Sequence, residues 1–193
     1  MKSIKELYRI GTGPSSSHTM GPRKAAEMFV VRHPDAAKFK VTLYGSLAAT
    51  GKGHMTDVAI IDTLEPTAPV EIIWQPKVFL PFHPNGMTFA AFDVNDKLIE
   101  NWTVYSVGGG ALAENNDTSS IESPDVYGMN SMTEILEWCE RNGRSYWEYV
   151  KECEDSDIWD YLNEVWKTMI DSIHRGLEEE GVLPGPLNLR RKA

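Results

Sequence analysis

Three of the five histidines, His18, His54 and His83, stand in turns rich in glycine, proline and small hydroxyls, not on amphipathic faces. An imidazole changes charge near neutral pH, and loops at the ends of rigid elements are where sites are built, so these are the first candidates for moving a proton. Around His18 the run Ser15-Ser16-Ser17-His18-Thr19 offers four hydroxyls beside one imidazole, flanked by Gly11, Gly13, Pro14, Gly21 and Pro22. Backbone amides of such a loop entering a helix form a cradle for a carboxylate or phosphate, which suits a small anionic substrate. The same composition also fits a surface loop whose histidine caps the next helix. No lysine followed by serine or threonine ends the run, so it is not a Walker-type phosphate loop.

A second cluster, Thr50, Lys52, His54, Thr56 and Asp57, falls in a glycine-punctuated turn after a strand, where Thr56 or Asp57 also serves as a plain helix cap. In a third, His83 and Asn85 sit in His83-Pro84-Asn85-Gly86, a turn sequence with a hairpin dipeptide. Two other chemistries rank lower. Nucleophilic hydrolysis lacks the strained Gly-x-Ser-x-Gly elbow, and neighbouring Ser17 and His18 are not expected to face one another. A zinc site built from His18, His54 and His83 needs distances that sequence does not supply.

The elements that must position these residues follow from periodicity. Ser3 to Tyr8 reads as a short helix with a serine cap and Glu6 closing a capping box, and residues 11–22 as an ordered loop. Pro22 then opens a helix to about Arg32, stopped by His33-Pro34. Lys40–Ser46 alternates as a half-buried strand, and Met55–Leu64 carries helical spacing. Val70–Trp74 and Val78–Leu80 read as strands. Met87–Val94 and Lys97–Val107 read as two longer ones joined at Asn95-Asp96, in an antiparallel meander ended by Gly108-Gly109-Gly110. From Ala113 to Asn130 the composition turns to Asn, Asp, Ser, Glu and Pro, the signature of a linker. Three helical patterns follow, Thr133–Arg141, Ser145–Cys153 and Asp157–Glu179, and they hold four of the six tryptophans. Such a surface is expected to pack on something.

The whole chain of 193 residues carries a formal net charge of −9, which repels phosphate backbones and anionic lipid heads. Nucleic acid and membrane are therefore not expected partners, and the absence of an apolar run near the length of a membrane helix agrees. A cytoplasmic location is expected. The acid is concentrated in residues 131–180, with 14 acidic and five basic side chains. Only two cysteines occur, Cys139 and Cys153, both in helical patterns. Two thiols offer no disulfide framework and do not complete a cluster site, so no metal ligand is assigned.

Glu6–Pro22 (ELYRIGTGPSSSHTMGP) resembles the opening of the β subunit or β domain of the iron-sulfur L-serine dehydratases, also called L-serine ammonia-lyases. The resemblance continues in Gly45–Asp57 (GSLAATGKGHMTD), His83–Met87 (HPNGM) and Tyr105–Gly110 (YSVGGG), in the family's order. Asn163–Met169, His174–Leu177 and Glu180–Ala193 are similar to the start of the catalytic α portion. Asp62–Pro66 departs from a glycine-leucine-rich segment expected there, but touches no candidate residue. Cys139 and Cys153 do not match the family's cluster cysteines.

The resemblance implies an α+β domain, an antiparallel or mixed sheet with helices on one face, followed by an α-helical extension. It implies a β-type domain at 1–113, a linker at 114–130 and the start of the catalytic portion at 131–193, with the rest of that portion missing. The implied activity is a lyase of amino-acid degradation, turning L-serine into pyruvate and ammonia with a [4Fe-4S] cluster that this chain does not ligate; alone it is expected to be inactive. Implied partners are L-serine, the catalytic α domain or subunit, and further copies in a homo-oligomer. His18, then His83, are expected as the base. Ser15, Ser16, Ser17, Thr19 and Asn85 are expected to grip the substrate carboxylate, with His54, Thr56 and Asp57 completing that shell. Two readings from other classes stay open: a non-catalytic allosteric L-serine sensor, and an oligomerisation domain with a tryptophan-rich interface.

Overall fold

The computed structural model describes residues 1–114, 124–183 and 188–191. The described residues fall into two compact units: Met1–Ile10 groups with the helical residues up to Glu180, and residues from Gly11 onward form a sheet unit together with the short pair Gly181–Val182 and Arg190–Arg191. The first ten residues, read from sequence as the start of the first domain, thus pack with the helices. Residues 115–123 of the expected linker lie outside the described residues.

The sheet unit is built on β1 (Lys38–Tyr44), β2 (Val70–Gln75), β3 (Gly86–Phe92), β4 (Leu98–Gly108) and β5 (Ala111–Glu114), in the order β2-β1-β3-β4-β5. β1 runs parallel to β2 and antiparallel to β3, and β3, β4 and β5 continue antiparallel, so the sheet is mixed, as expected. Period-two alternation puts Phe39, Val41 and Leu43 of β1 on one buried face. Register stacks Val41, Phe89 and Trp102 in one row and Leu43, Met87 and Val104 in the next. Helices cover this face: α1 (Gly21–Arg32) contributes Ala25, Ala26 and Phe29, α2 (Gly45–Thr50) contributes Leu47 and Ala48, and α3 (Thr56–Leu64) contributes Ile60 and Leu64.

Several local expectations are corrected. The segment expected as loop is helical from Ser16: a π turn, Ser16–Met20, runs directly into α1, because the Ser15 side chain caps it by accepting from the His18 amide. Gly45–Thr50 is a helix, and Gly51–His54 is a 3-10 turn. Val78–Leu80 is not a strand and Asn85-Gly86 closes no hairpin, since Gly86 opens β3. β5 was not foreseen. Ser3 caps a 3-10 turn, Ile4–Glu6, through the Lys5 amide, while Glu6 pairs with Arg9 and closes no capping box.

In the helical unit, α4 (Met132–Asn142) and α5 (Tyr146–Cys153) each open with a capping box, Ser131 with Glu134 and Ser145 with Glu148. Tyr127, Ile135, Cys139 and Tyr149 form its small core. α6 (Ile158–Glu178) leaves Trp166, Met169, Ile173 and Leu177 exposed. No helix among the described residues is long and apolar enough to cross a membrane.

Candidate active site

β1 ends at Tyr44, and the chain turns at Gly45 with φ +46°, a left-handed conformation suited to glycine. A Cβ there would lie 2.6 Å from the Pro84 carbonyl oxygen, so the turn after β1 and the loop before β3 touch only because residue 45 has no side chain. The Ser46 amide then donates to that same Pro84 carbonyl at 3.0 Å. These contacts bring the His83–Asn85 loop to the start of α2.

The π turn brings His18 to the same place. Its Nε2 lies 3.3 Å from Ser46 Oγ, and its Nδ1 lies 2.9 Å from Ser17 Oγ. Neighbouring Ser17 and His18 do face one another, contrary to expectation, because a π turn draws successive side chains together where an extended loop would splay them. The His54 ring stands 4.8 Å from His18, centroid to centroid, tilted by 41°. Reciprocal backbone bonds hold the pair: the Thr19 hydroxyl donates to the His54 carbonyl at 2.7 Å, and the Thr56 hydroxyl donates to the His18 carbonyl at 2.5 Å. Both threonines are buried, so they brace the two turns against each other.

The hydrogen bonds also fix protons. His54 Nδ1 lies 2.9 Å from the Thr50 carbonyl, which only accepts, so the neutral ring carries its proton on Nδ1 and keeps a lone pair on Nε2. His83 is the opposite case: its Nδ1 accepts from the Asn85 amide at 3.1 Å, so a neutral His83 presents an N–H at Nε2. Burial first, and the neighbouring His54 second, hold His18 below the ordinary 6.5, with Ser46 opposing them. A depressed value keeps His18 in its neutral form, able to accept a proton, at physiological pH.

The structure therefore brings together all three histidine turns. Ser15 accepts from the His18 amide, and its own amide donates to Thr19 Oγ1. Asn85 Nδ2 donates to the Ser106 carbonyl at 3.2 Å. Ser16 is exposed on the π turn, and Asp57 is half-buried in the first turn of α3. Sequence reasoning passed over Ser46. Its signal was its place, two residues beyond the end of β1 and beside a glycine, where a side chain is aimed by rigid structure. The donor set does not fit an iron-sulfur cluster: of the chain's two cysteines, Cys139 is buried among Tyr127, Ile135 and Tyr149 in the helical unit, and Cys153 sits on α5 beside them.

The model of the family described as serine dehydratase beta chain matches residues 3–75 and 62–117. Among curated relatives, L-serine dehydratase TdcG of Escherichia coli (strain K12) is 34% identical over an alignment of 242 positions, covering 100% of this chain and 53% of that protein. L-serine dehydratase 1 of the same strain is 33% identical with the same coverage. The L-serine dehydratase of Haemophilus influenzae is 32% identical, again over 100% of this chain and 53% of that protein. The chain spans about half the length of the curated relatives it matches.

Proposed function

The chain belongs to the serine dehydratase β-chain family, and from that premise we propose that it supplies substrate-handling side chains for the β-elimination of water from L-serine. The observation that supports this best is the convergence of three histidine turns on one place, with one imidazole kept neutral by burial and by a second imidazole beside it. In the elimination the Cα–H bond breaks as a base takes the proton, the electron pair forms the Cα=Cβ bond, and the Cβ–O bond breaks. The hydroxyl leaves as water once it gains a proton. The product aminoacrylate then hydrolyses to pyruvate and ammonia.

His18 is the proposed base. A specific observation favours a second reading, in which His54 acts in its place: its Nε2 lone pair is fixed by the Thr50 carbonyl. His83, the second base candidate from sequence, has its Nδ1 lone pair engaged by the Asn85 amide and is better suited to donate from Nε2. Ser16, Ser17 and Asn85 are proposed to orient the carboxylate, with Ser15, Thr19 and Thr56 shaping the turns and Asp57 completing the shell. An iron-sulfur cluster is proposed to be held by residues outside this chain, in a catalytic portion that is its proposed partner. Assembly as a homo-oligomer in the cytoplasm completes the reading.

The test is His18→Ala in the complete enzyme, following pyruvate formation at saturating L-serine. A loss in kcat of about 10²- to 10⁴-fold is expected for a proton-transfer group. Near-normal turnover removes His18 from the role, and His54→Ala then tests the second reading. Calorimetric titration of this chain with L-serine addresses the sensor alternative: tight binding in the absence of the catalytic portion favours a separate regulatory site.

A further inference from the structure

The first residue of α1, Gly21, has φ −60° and ψ −55°, ordinary helical values that any residue adopts. Its lack of a side chain is required for another reason. A Cβ on Gly21 would fall 2.3 Å from Ser106 Oγ and 3.0 Å from Ser106 Cβ. Ser106, on β4, is fully buried, and its hydroxyl has no hydrogen-bond partner among the described residues. A buried hydroxyl left unpaired is unfavourable, and a plain packing position is filled more cheaply by alanine. The backbone around Ser106 is tied on both sides to the site: its amide donates to the Asn85 carbonyl at 3.0 Å, and its carbonyl accepts from Asn85 Nδ2 at 3.2 Å. Gly21 in turn closes the π turn, donating its amide to the Ser16 carbonyl.

We propose that Ser106 is a positioning residue, a spacer whose side chain, seated on the bare Cα of Gly21, sets the separation between the His18 turn and the His83–Asn85 loop. Neither Gly21 nor Ser106 has a proposed contact with substrate. The pair acts through the turns it separates. The motif Tyr105–Gly110, which the proposed function leaves without a role, thereby gains one. This inference rests on the proposed function only for its consequence in turnover; the spacing itself is read independently.

The experiment is a graded rescue in the full chain. Gly21→Ala inserts the clashing methyl, and adding Ser106→Ala relieves the 2.3 Å contact but leaves that at 3.0 Å. Adding Ser106→Gly relieves both. Histidine side-chain NMR across pH reads the result without any reaction: in Gly21→Ala the His18 midpoint is expected to rise toward 6.5 as its packing opens. It should recover partly with Ser106→Ala and fully with Ser106→Gly. In the complete enzyme the same series is expected to lower kcat by about 100-fold, with KM changed less, and to restore it in the same order.

Unchanged histidine midpoints in Gly21→Ala overturn the proposal, as does a perturbed midpoint that Ser106→Gly fails to restore. If Gly21→Ala does not fold, Ser106→Gly alone decides: a raised His18 midpoint and faster exchange of the Gly21 amide support the spacer, and wild-type values of both overturn it. A rescue series that orders correctly by NMR in an enzyme that turns over no L-serine sinks the proposed function and leaves the spacer standing.

Discussion

His18 and His54 differ in what settles their protons. The Thr50 carbonyl dictates the tautomer of His54, whereas both nitrogens of His18 face hydroxyls, of Ser17 and Ser46, which can donate or accept. Moving the His18 proton from one nitrogen to the other therefore asks only that two hydroxyls rotate. That freedom suits a group that must take up a proton and pass it on. The charge of His54 is the second cause of the low His18 value, after burial. Replacing His54 by Gln is therefore expected to raise the His18 midpoint part of the way to 6.5, burial holding it below that value; an NMR titration of His18 measures the shift. The acid limb of kcat/KM in the complete enzyme should move with it if His18 is the base. For stability the sign is that of a depressed folded value: the contribution is fully present above 6.5 and is lost as pH falls from there through the folded His18 midpoint.

At the scale of elements, the two histidine turns are joined by a reciprocal clasp in which each turn's threonine binds the other turn's histidine carbonyl. Thr19 and Thr56 are 2% and 0% exposed, so removing either hydroxyl deletes a buried donor and leaves the other turn's histidine carbonyl without that bond. Thr19→Val, which keeps shape and deletes the hydroxyl, is expected to cost about 1–3 kcal/mol and to speed amide exchange in both turns, measured by urea unfolding and hydrogen exchange. Thr56→Val should behave alike, and the double variant should cost less than the two added. An additive double variant would mean that the turns are braced independently. The strands were legible in the sequence because alternation is a direct image of a sheet with one buried face, as in Phe39, Val41 and Leu43. The π turn was not, because Ser15–Thr19 is rich in residues that favour loops until a cap is made. Val78–Leu80 misled for a physical reason too: Phe79 and Leu80 lie against the bare glycines Gly45 and Gly86 and do not pair in a sheet. The histidine turns were legible as separate candidates. Their convergence was not, because it depends on β1 and β3 being neighbours, which no local pattern encodes.

At the scale of the whole molecule, the helical unit answers acid through carboxylates held below their ordinary range. Glu134 and Glu148 are held low by the serines of their capping boxes, and Asp157 by Lys5. For Glu154, burial pushes the value up, but hydrogen bonds from Ser3, Tyr127 and the Ile4 amide outweigh it and the net shift is downward. A carboxylate depressed in the folded state contributes stability that is complete above its ordinary 4.5 and is lost as pH falls through its folded value. Glu154 matters most, since it alone of these is buried and it ties the N-terminal segment to Tyr127 and α5. In the sheet unit, the His18 turn is expected to respond as pH falls below 6.5. The two units are thus expected to answer acid in different windows, which hydrogen exchange on the full chain resolves residue by residue. Between 6.5 and 4.5 protection should fall around His18 and Thr19 while Ile4 and the first turns of α4 and α5 keep theirs. Below 4.5 the helical unit should lose protection, beginning at the Ile4 amide that Glu154 accepts from. Glu154→Ala should produce that loss at neutral pH, at a cost of about 1.5–3 kcal/mol for bonds to a charged group. Loss of helical protection in the upper window, or an Ile4 amide indifferent to Glu154→Ala, would show that these carboxylates do not hold the helical unit together.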